Sequence, residues 1–319
     1  GNAANCTRTF TVNDTTPPVI TACPAPQSTT GGASCQGTIP NFVATTTATD
    51  NCTASGSLTI TQSPTAGTVV GVGAHSLTIT VKDAANNTPT CNTTFTVNDV
   101  TAPTITACAA PQTLSASATC EALVPDFTAG TSATDNCTPS AALTKTQTPV
   151  SGSVVGLGVT PVTVTVKDAA GNSVTCNTSL TVNDTTPPTI TACSSDKSAN
   201  ADATCQAAVP DFITGGQVTA TDDCTPTGSI VIAQSPSAGT LVGPGIHTVT
   251  ITATDNAGNA VDCTRDFTVT DVTAPVIALN NGVSTHECVV TASNQYVEAG
   301  ATVTDNCDGP ANLTASGTL

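Results

Sequence analysis

Two residue types recur in this 319-residue chain at spacings that permit chemistry: cysteine and aspartate. Its 15 cysteines fall on a repeat. Cys6, Cys91 and Cys176 are 85 residues apart, as are Cys23, Cys108 and Cys193, and Cys35, Cys120 and Cys205. The third copy gains two residues, which moves its later marks to Cys224 and Cys263. No C-x-x-C occurs and the three histidines sit at no ligand spacing, so structural disulfides are favoured over zinc or a catalytic thiol. Four cysteines per copy allow three connectivities, and sequence alone does not select one. The last stretch of the chain keeps only Cys288 and Cys307, at nearly the spacing of Cys35 and Cys52. That favours Cys35–Cys52, Cys120–Cys137, Cys205–Cys224 and Cys288–Cys307. By elimination the others are Cys23–Cys91, Cys108–Cys176 and Cys193–Cys263. Cys6 is left over, its mate expected upstream of residue 1. Each bridge is expected to add about 2–4 kcal/mol by constraining the unfolded chain.

The aspartates repeat with the cysteines. Of 22 acids, 12 fall in three slots. The first slot holds Asp14, Asp99, Asp184 and Asp271, the second Asp50, Asp135, Asp222, Asp223 and Asp305, and the third Asp83, Asp168 and Asp255. Asn51, Asn87, Asn136, Asn172 and Asn259 stand beside them with amide carbonyls. The chain has only six Lys+Arg to neutralise this charge.

The elements that position these residues follow from composition. Threonine makes up about a fifth of the chain, Gly and Pro punctuate it, and strong helix formers are scarce, so the chain reads as all-β. HSLTITVKD (75–83) alternates Leu77, Ile79 and Val81 inward with polar residues outward, and TCNTTFTVND (90–99) does the same with Phe95 and Val97. Between them lies a turn, DAANN, DAAGN or DNAGN, with Asn86, Gly171 or Gly258 where a positive φ is needed. An 85-residue period exceeds the roughly 20–50 residues of a solenoid unit and suits a β-sandwich. Each copy is read as about seven short strands in two sheets.

The phase of the repeat sets the boundaries. Residues 1–14 read as the last strand of an upstream copy, full copies span 15–99, 100–184 and 185–271, and 272–319 begin a partial fourth. The chain is therefore expected to be an excerpt of something longer. The joints TTPP and VTAP allow little swivelling. The expected architecture is tandem immunoglobulin-like β-sandwiches in an extended rod, each copy advancing it by roughly 35–45 Å.

The pattern D-x-T-x-P-x-I-T-x-C, then A-T-D-N, then D-A-A-G-N, then C-x-x-x-F-T-V-x-D resembles the hyalin repeat (HYR), an immunoglobulin-like module, over residues 1–271. The fourth copy, VIALNNG and YVEAGATVTDNCDG, resembles a related bacterial immunoglobulin-like domain. Threonine-rich arrays with the extra cysteine pair resemble those of giant Bacteroidota surface adhesins, among them the flavobacterial gliding adhesins. The resemblance implies structural stalk repeats of a secreted, extracellular cell-surface adhesin, involved in surface attachment or gliding motility. The partners implied are neighbouring repeats of the same chain and a surface or glycan ligand bound elsewhere in the parent protein. In such a sandwich the linker, the loop after the second strand and the last hairpin turn lie at one pole. Three carboxylates per joint should then converge, and Ca²⁺, which takes six to eight oxygens, would offset their repulsion. The competing reading is that these Asp and Asn residues are ordinary turn formers and Asx caps.

Other classes are excluded or disfavoured. A net charge of −16 argues against a nucleic-acid partner. No apolar run of about 18 residues exists, so no membrane span is expected in this segment. So many cysteines point to an oxidising, extracytoplasmic compartment. No G-x-S-x-G elbow or phosphate-binding loop is present, and His75 and His247 share a slot that holds Thr160 in the second copy. The chain is read as non-enzymatic. Phe42, Phe127 and Phe212 share one slot, with Tyr296 in the fourth copy, and Phe10, Phe95 and Phe267 share another with Leu180. Aromatics at repeating slots read as packing, so the copies resemble a shaft more than a ligand-binding tip. The alternatives are that the repeats bind a glycan or protein surface themselves, or form an accessory region of a secreted enzyme.

Overall fold

A computed structural model of the protein describes residues 3–279 and 301–308. Among these residues the fold is all-β, with short 3₁₀ turns and no α-helix. The chain falls into two compact units, one of Gly1–Thr113, Leu123–Val155 and Val159–Thr181, the other of Leu114–Ala122, Gly156–Gly158 and Val182–Leu319.

In the first unit, the first copy contains eight strands. They are β1 (Val19–Ala22), β2 (Gln27–Thr30), β3 (Gln36–Thr38), β4 (Thr47–Thr49), β5 (Thr59–Ser63), β6 (Val69–Gly71), β7 (Gly73–Lys82) and β8 (Thr90–Asn98). One sheet has the order β2-β8-β7-β5, while β1 pairs with β4 and β3 with β6. The long β7–β8 hairpin pairs Leu77 with Thr93 and Ile79 with Cys91. Period-2 alternation drives its inner face into the core, where Leu77, Ile79 and Val81 are fully buried. Phe42, Ile39, Phe95 and Val97 complete that core, with Ile60 and Val70 against it. Each such side chain contributes about 1.5–3 kcal/mol on burial. The turn between β7 and β8 places Asn86 at φ 76°, and the equivalent turns use Gly171 at 101° and Gly258 at 93°.

The second unit contains the third copy, built the same way. Lys197–Asn200, Ala260–Thr270, Gly245–Thr254 and Val231–Ser235 form its four-stranded sheet in that order. Its core gathers Val209, Phe212, Val249, Ile251, Phe267 and Val269. Further on, Val276–Leu279 pairs antiparallel with Ala301–Thr304. In the second copy, Thr144–Thr148 pairs with the 163–167 end of the long strand exactly as β5 pairs with β7 in register.

β2 runs parallel to β8, pairing Gln27 with Phe95 and Thr30 with Asn98. The chain therefore leaves one sheet after β1 and joins the other at β2, and Cys23 sits in that crossing beside the start of β8. A buried glutamine, not singled out in the sequence, fixes the opposite corner. Gln62 Oε1 accepts the Phe42 N–H at 2.8 Å, and its Nε2 donates to the Pro40 and Pro64 carbonyls. Gln147 and Gln234 repeat the same bonds at Phe127 and Phe212.

Two sequence expectations change here. Each fully described copy carries eight strands, because the crossing splits the first strand in two. Residues 3–14, expected as a strand, form none. Their equivalents in β8 are held between β7 and β2, and a strand without such neighbours has no ladder to satisfy its backbone. Phe10 is accordingly 89% exposed where Phe95, Leu180 and Phe267 are buried. Tyr296 and Cys288 lie outside the described residues.

Asp126 and Asp211 cap the loop that carries the core phenylalanine, as Asn41 does in the first copy. The Thr214 hydroxyl and the Thr214 and Ile213 N–H groups lower the Asp211 carboxyl to about 2. An unfolded Asp sits near about 3.9, so this carboxylate adds stability that is fully present above about pH 4 and is lost as pH falls through about 2. Replacing Asp211 by Asn should keep the turn and remove that part of the acid sensitivity. Carboxyl NMR titration of the parent chain should show Asp211 titrating well below the ordinary range; a value near 4 would contradict the assignment.

Candidate functional site: the joints between copies

The leading end of a copy is stitched from three segments. Asp50 Oδ1 accepts the N–H groups of Cys52 and Thr53 at 3.0 and 2.7 Å, which closes the loop after β4 as an Asx turn. Asp83 accepts the Asn87 N–H at 2.8 Å and the Asn87 amide at 2.7 Å, which closes the β7–β8 turn. The same Asn87 amide group reaches the linker carbonyls of Asp14 and Thr16, each at 3.4 Å. Thr53 Oγ1 accepts the Ala84 N–H and ties loop to turn. The pattern recurs at Asp135, Asn172 and Thr138, and at Asp222, Asn259 and Thr225. The buried threonines Thr53, Thr138 and Thr225 were legible as a constant residue after the ATDNC or ATDDC cysteine, but their type alone did not mark them.

This stitching brings the carboxylates together. Oxygens of Asp14, Asp50 and Asp83 lie within 4.8 Å of one another, and so do those of Asp184, Asp222 and Asp255. Asp99 with Asp135, and Asp271 with Asp305, form matching pairs beside Cys137 and Cys307, whose sulfurs are held in disulfides. One oxygen each of Asp14, Asp50, Asp99, Asp135, Asp184, Asp222 and Asp305 is buried without a hydrogen-bond partner. Burial pushes the Asp83, Asp168 and Asp255 carboxyls up, but the hydrogen bonds from the Asn87, Asn172 and Asn259 side chains and the turn N–H groups together outweigh it and hold them below the usual range.

Not every expected ligand joins. Asp168 spends its oxygens on Gly171 and Asn172 and is outside the cluster of its joint. Asp223 is exposed and outside the cluster of Asp222. Asn87, Asn172 and Asn259 donate their amide N–H groups as clamps, where carbonyl donation to a metal was expected. Asn51 and Asn136 turn their amides toward cysteine sulfur.

The trailing end of a copy carries a different turn. The Gly31 N–H donates to the Asn98 carbonyl at the end of β8 at 2.8 Å. A single 3₁₀ turn, Gly32–Ser34, then delivers Cys35 in the left-handed conformation at φ 57°. Cys120 and Cys205 repeat this at 61° and 62°.

The cystines follow from these two ends. Cys23–Cys91, Cys108–Cys176 and Cys193–Cys263 form within copies as expected, with Cα separations of 6.2, 6.1 and 6.5 Å. The other expected pairs do not form. Cys35 bonds Cys137 instead of Cys52, Cys120 bonds Cys224 instead of Cys137, and Cys205 bonds Cys307, which displaces both Cys205–Cys224 and Cys288–Cys307. The reason is position: Cys35 stands where β8 ends, whereas Cys52 stands beside Asp14 where the copy begins. Their Cα separations of 5.2, 5.2 and 4.9 Å lie in the ordinary disulfide range. At two of these bridges an asparagine of the later copy caps the earlier turn. Asn136 donates to the Gly32 carbonyl at 2.8 Å, and Asn306 to the Asp202 carbonyl at 3.0 Å. Cys6 and Cys52 are unpaired and exposed. The walls around it, then the carboxylates of Asp14, Asp50 and Asp83, push the Cys52 thiol above its usual range.

His75 and His247 serve the strand edges. His75 Nε2 contacts the Gly71 carbonyl at 2.8 Å, and His247 Nε2 the Gly243 carbonyl at 2.7 Å. No helix among the described residues is long and apolar enough to cross a membrane.

The HYR domain family matches residues 183–271. Hyalin of Lytechinus variegatus is 32% identical, covering 83% of this chain and 53% of its own length. The chain thus spans about half the length of that curated relative. Among solved structures, an I-band fragment of titin is 12% identical with a TM-score of 0.37, covering 81% of this chain and 100% of the fragment. A mouse cadherin-23 fragment is 14% identical with a TM-score of 0.33, covering 80% and 99%. The family match falls on the third copy, and the similarity to hyalin extends over most of this chain.

Mass mapping of unreduced peptides should recover Cys35–Cys137, Cys120–Cys224 and Cys205–Cys307. Recovery of Cys35–Cys52 or Cys120–Cys137 in their place would restore pairing within copies.

Proposed function

We propose that these HYR repeats are the structural stalk of an extracellular adhesion protein, and that they carry tension from one copy to the next. The observation that supports this reading is the set of cystines Cys35–Cys137, Cys120–Cys224 and Cys205–Cys307. Each gives consecutive copies a second covalent path beside the four-residue proline linker. A loop of about 100 residues closed by one isolated disulfide loses about 4.7 kcal/mol of unfolded-state entropy in the chain-entropy account, and Cys23–Cys91 overlaps this loop and shortens the effective one. The six bridges among the described residues also fit an oxidising compartment outside the cell. The narrower role, a Bacteroidota surface adhesin used in attachment or gliding, rests on the sequence resemblance alone. The partners in this reading are neighbouring repeats, with any surface or glycan ligand held elsewhere in the parent protein.

Single-molecule stretching tests the stalk. The unreduced chain should release much less length than the reduced chain, and equal release in both states would remove the mechanical role. A purified chain that binds glycan or protein surfaces would favour the alternative of a ligand-binding adhesin.

A calcium ion at the joints belongs to the same proposal. The orphaned oxygens of Asp14 and Asp50, of Asp99 and Asp135, and of Asp184 and Asp222 are hard donors without protein partners. Two oxygens on one Ca²⁺ at 2.3–2.6 Å stand at most about 5 Å apart, which suits clusters of 4.8 Å. Bound calcium would supply positive charge, and the carboxylates would hold linker, loop and turn together around it. Calorimetric titration at millimolar Ca²⁺ should show binding that Asp184→Asn with Asp222→Asn weakens at least tenfold at that joint. No binding by the parent chain would sink the calcium reading and leave the cystine stalk untouched.

A further inference from the structure

Cys52 occupies the slot of Cys137, Cys224 and Cys307, and those three are all bonded to an earlier copy's cysteine turn. The loop around it is built the same way, with Asp50 taking the Cys52 and Thr53 N–H groups as Asp222 takes those of Cys224 and Thr225. What differs is everything a preceding copy would bring. Cys52 has no disulfide, and it is exposed. The Asn51 amide contacts only its neighbour's sulfur, at 3.3 Å, where Asn136 and Asn306 donate to carbonyls of a cysteine turn. A hollow lined by Val12, Asn13, Asp14, Cys52, Thr53 and Ala84 stands open there. Its counterpart around Cys224 has the equivalent residues Val182, Asn183, Asp184 and Thr225, and is closed on one side by Leu157 and Gly158 of the copy before. Thus the free thiol, the unspent amide and the open hollow match the side of the Cys137 and Cys307 bridges that receives a cysteine turn.

We infer that Cys52, Asn51 and this hollow form a docking site for the cysteine turn of a further HYR copy, closed by a disulfide to the left-handed cysteine of that turn. The inference rests on the clasped-copy reading, that is, the proposal above that cystines join consecutive copies. The covalent step needs a disulfide donor, and oxidised glutathione is sufficient. It first forms a mixed disulfide with the incoming turn cysteine and releases one glutathione thiol. The Cys52 thiolate then attacks the turn cysteine's sulfur, the protein–protein S–S bond forms, the mixed disulfide breaks, and the second glutathione thiol leaves. Two protein thiols lose two electrons and two protons, and one oxidised glutathione takes them up.

The test is the full chain with a second copy of residues 100–184 inserted between Asp14 and Thr15, which keeps the phase of the repeat. After refolding in a glutathione buffer, unreduced peptide mapping should show Cys52 bonded to the inserted counterpart of Cys120. Maleimide labelling of Cys52 should fall at least tenfold relative to the parent chain, while Cys6 still labels. Asn51→Ala in the extended chain should slow formation of that bond several-fold. Persistent Cys52 labelling, or a bond from the inserted turn to its own copy's counterpart of Cys137, would overturn the inference. If Cys35–Cys137 and Cys120–Cys224 are present in the same sample, that failure belongs to this site alone; if they are missing too, the clasped-copy reading fails with it. Should the extended chain not refold, the parent chain mixed with its Cys52→Ser, Cys137→Ser variant serves instead. Preferential linkage of the variant's Cys35 to the parent's Cys52 over Cys6 supports the site, and equal linkage or none refutes it.

Discussion

Cys35 and Cys52 stand at opposite ends of one copy, and the chemistry of every joint depends on that separation. The turn that carries Cys35 is anchored to the last residue of β8 through Gly31 and Asn98. The loop that carries Cys52 is anchored to the incoming linker through Asp50, Asp83, Asn87 and Asp14. A bond between the two cysteines of one copy would have to cross the length of its sandwich. Each reaches the neighbouring copy instead, so the cystines run from trailing end to leading end.

The same geometry explains the acids. The linker, the loop after β4 and the β7–β8 turn meet because each closes on an aspartate or asparagine that spends its hydrogen bonds locally. Both oxygens of Asp83, Asp168 and Asp255 accept hydrogen bonds from their own turns, and these carboxyls are held low. The partner carboxylates of the linker and the loop keep one oxygen with nothing to bind. Turn formation and ion binding are therefore not exclusive readings of these residues. One oxygen of a carboxylate shapes the backbone, and the other is left facing the cluster.

Much of the fold was legible because it depends on short-range rules. The alternation of Leu77, Ile79 and Val81 can bury one face only if the segment is a strand, and the structure buries all three. Asn86, Gly171 and Gly258 take the positive φ that their turn requires. The Cys23–Cys91 pairing follows by elimination from a Cys35–Cys52 bond that does not form, and it holds because β2 lies along β8 and brings Cys23 beside Cys91. Gln62, Gln147 and Gln234 escaped notice, because a glutamine in a threonine-rich strand gives no sign that its amide will turn inward to a backbone corner.

The sequence by itself determined the repeat, the all-β character, the core slots and the positions of the aspartate and cysteine clusters. These are set by composition, period and local turn chemistry. The tertiary structure decided which cysteine meets which. In a repeating chain the Cys35–Cys52 interval recurs in every copy, and so does the Cys35–Cys137 interval, one period longer, so no spacing argument can separate them. Only the ends of the strands could choose, because they place one cysteine where a copy finishes and the other where the next begins.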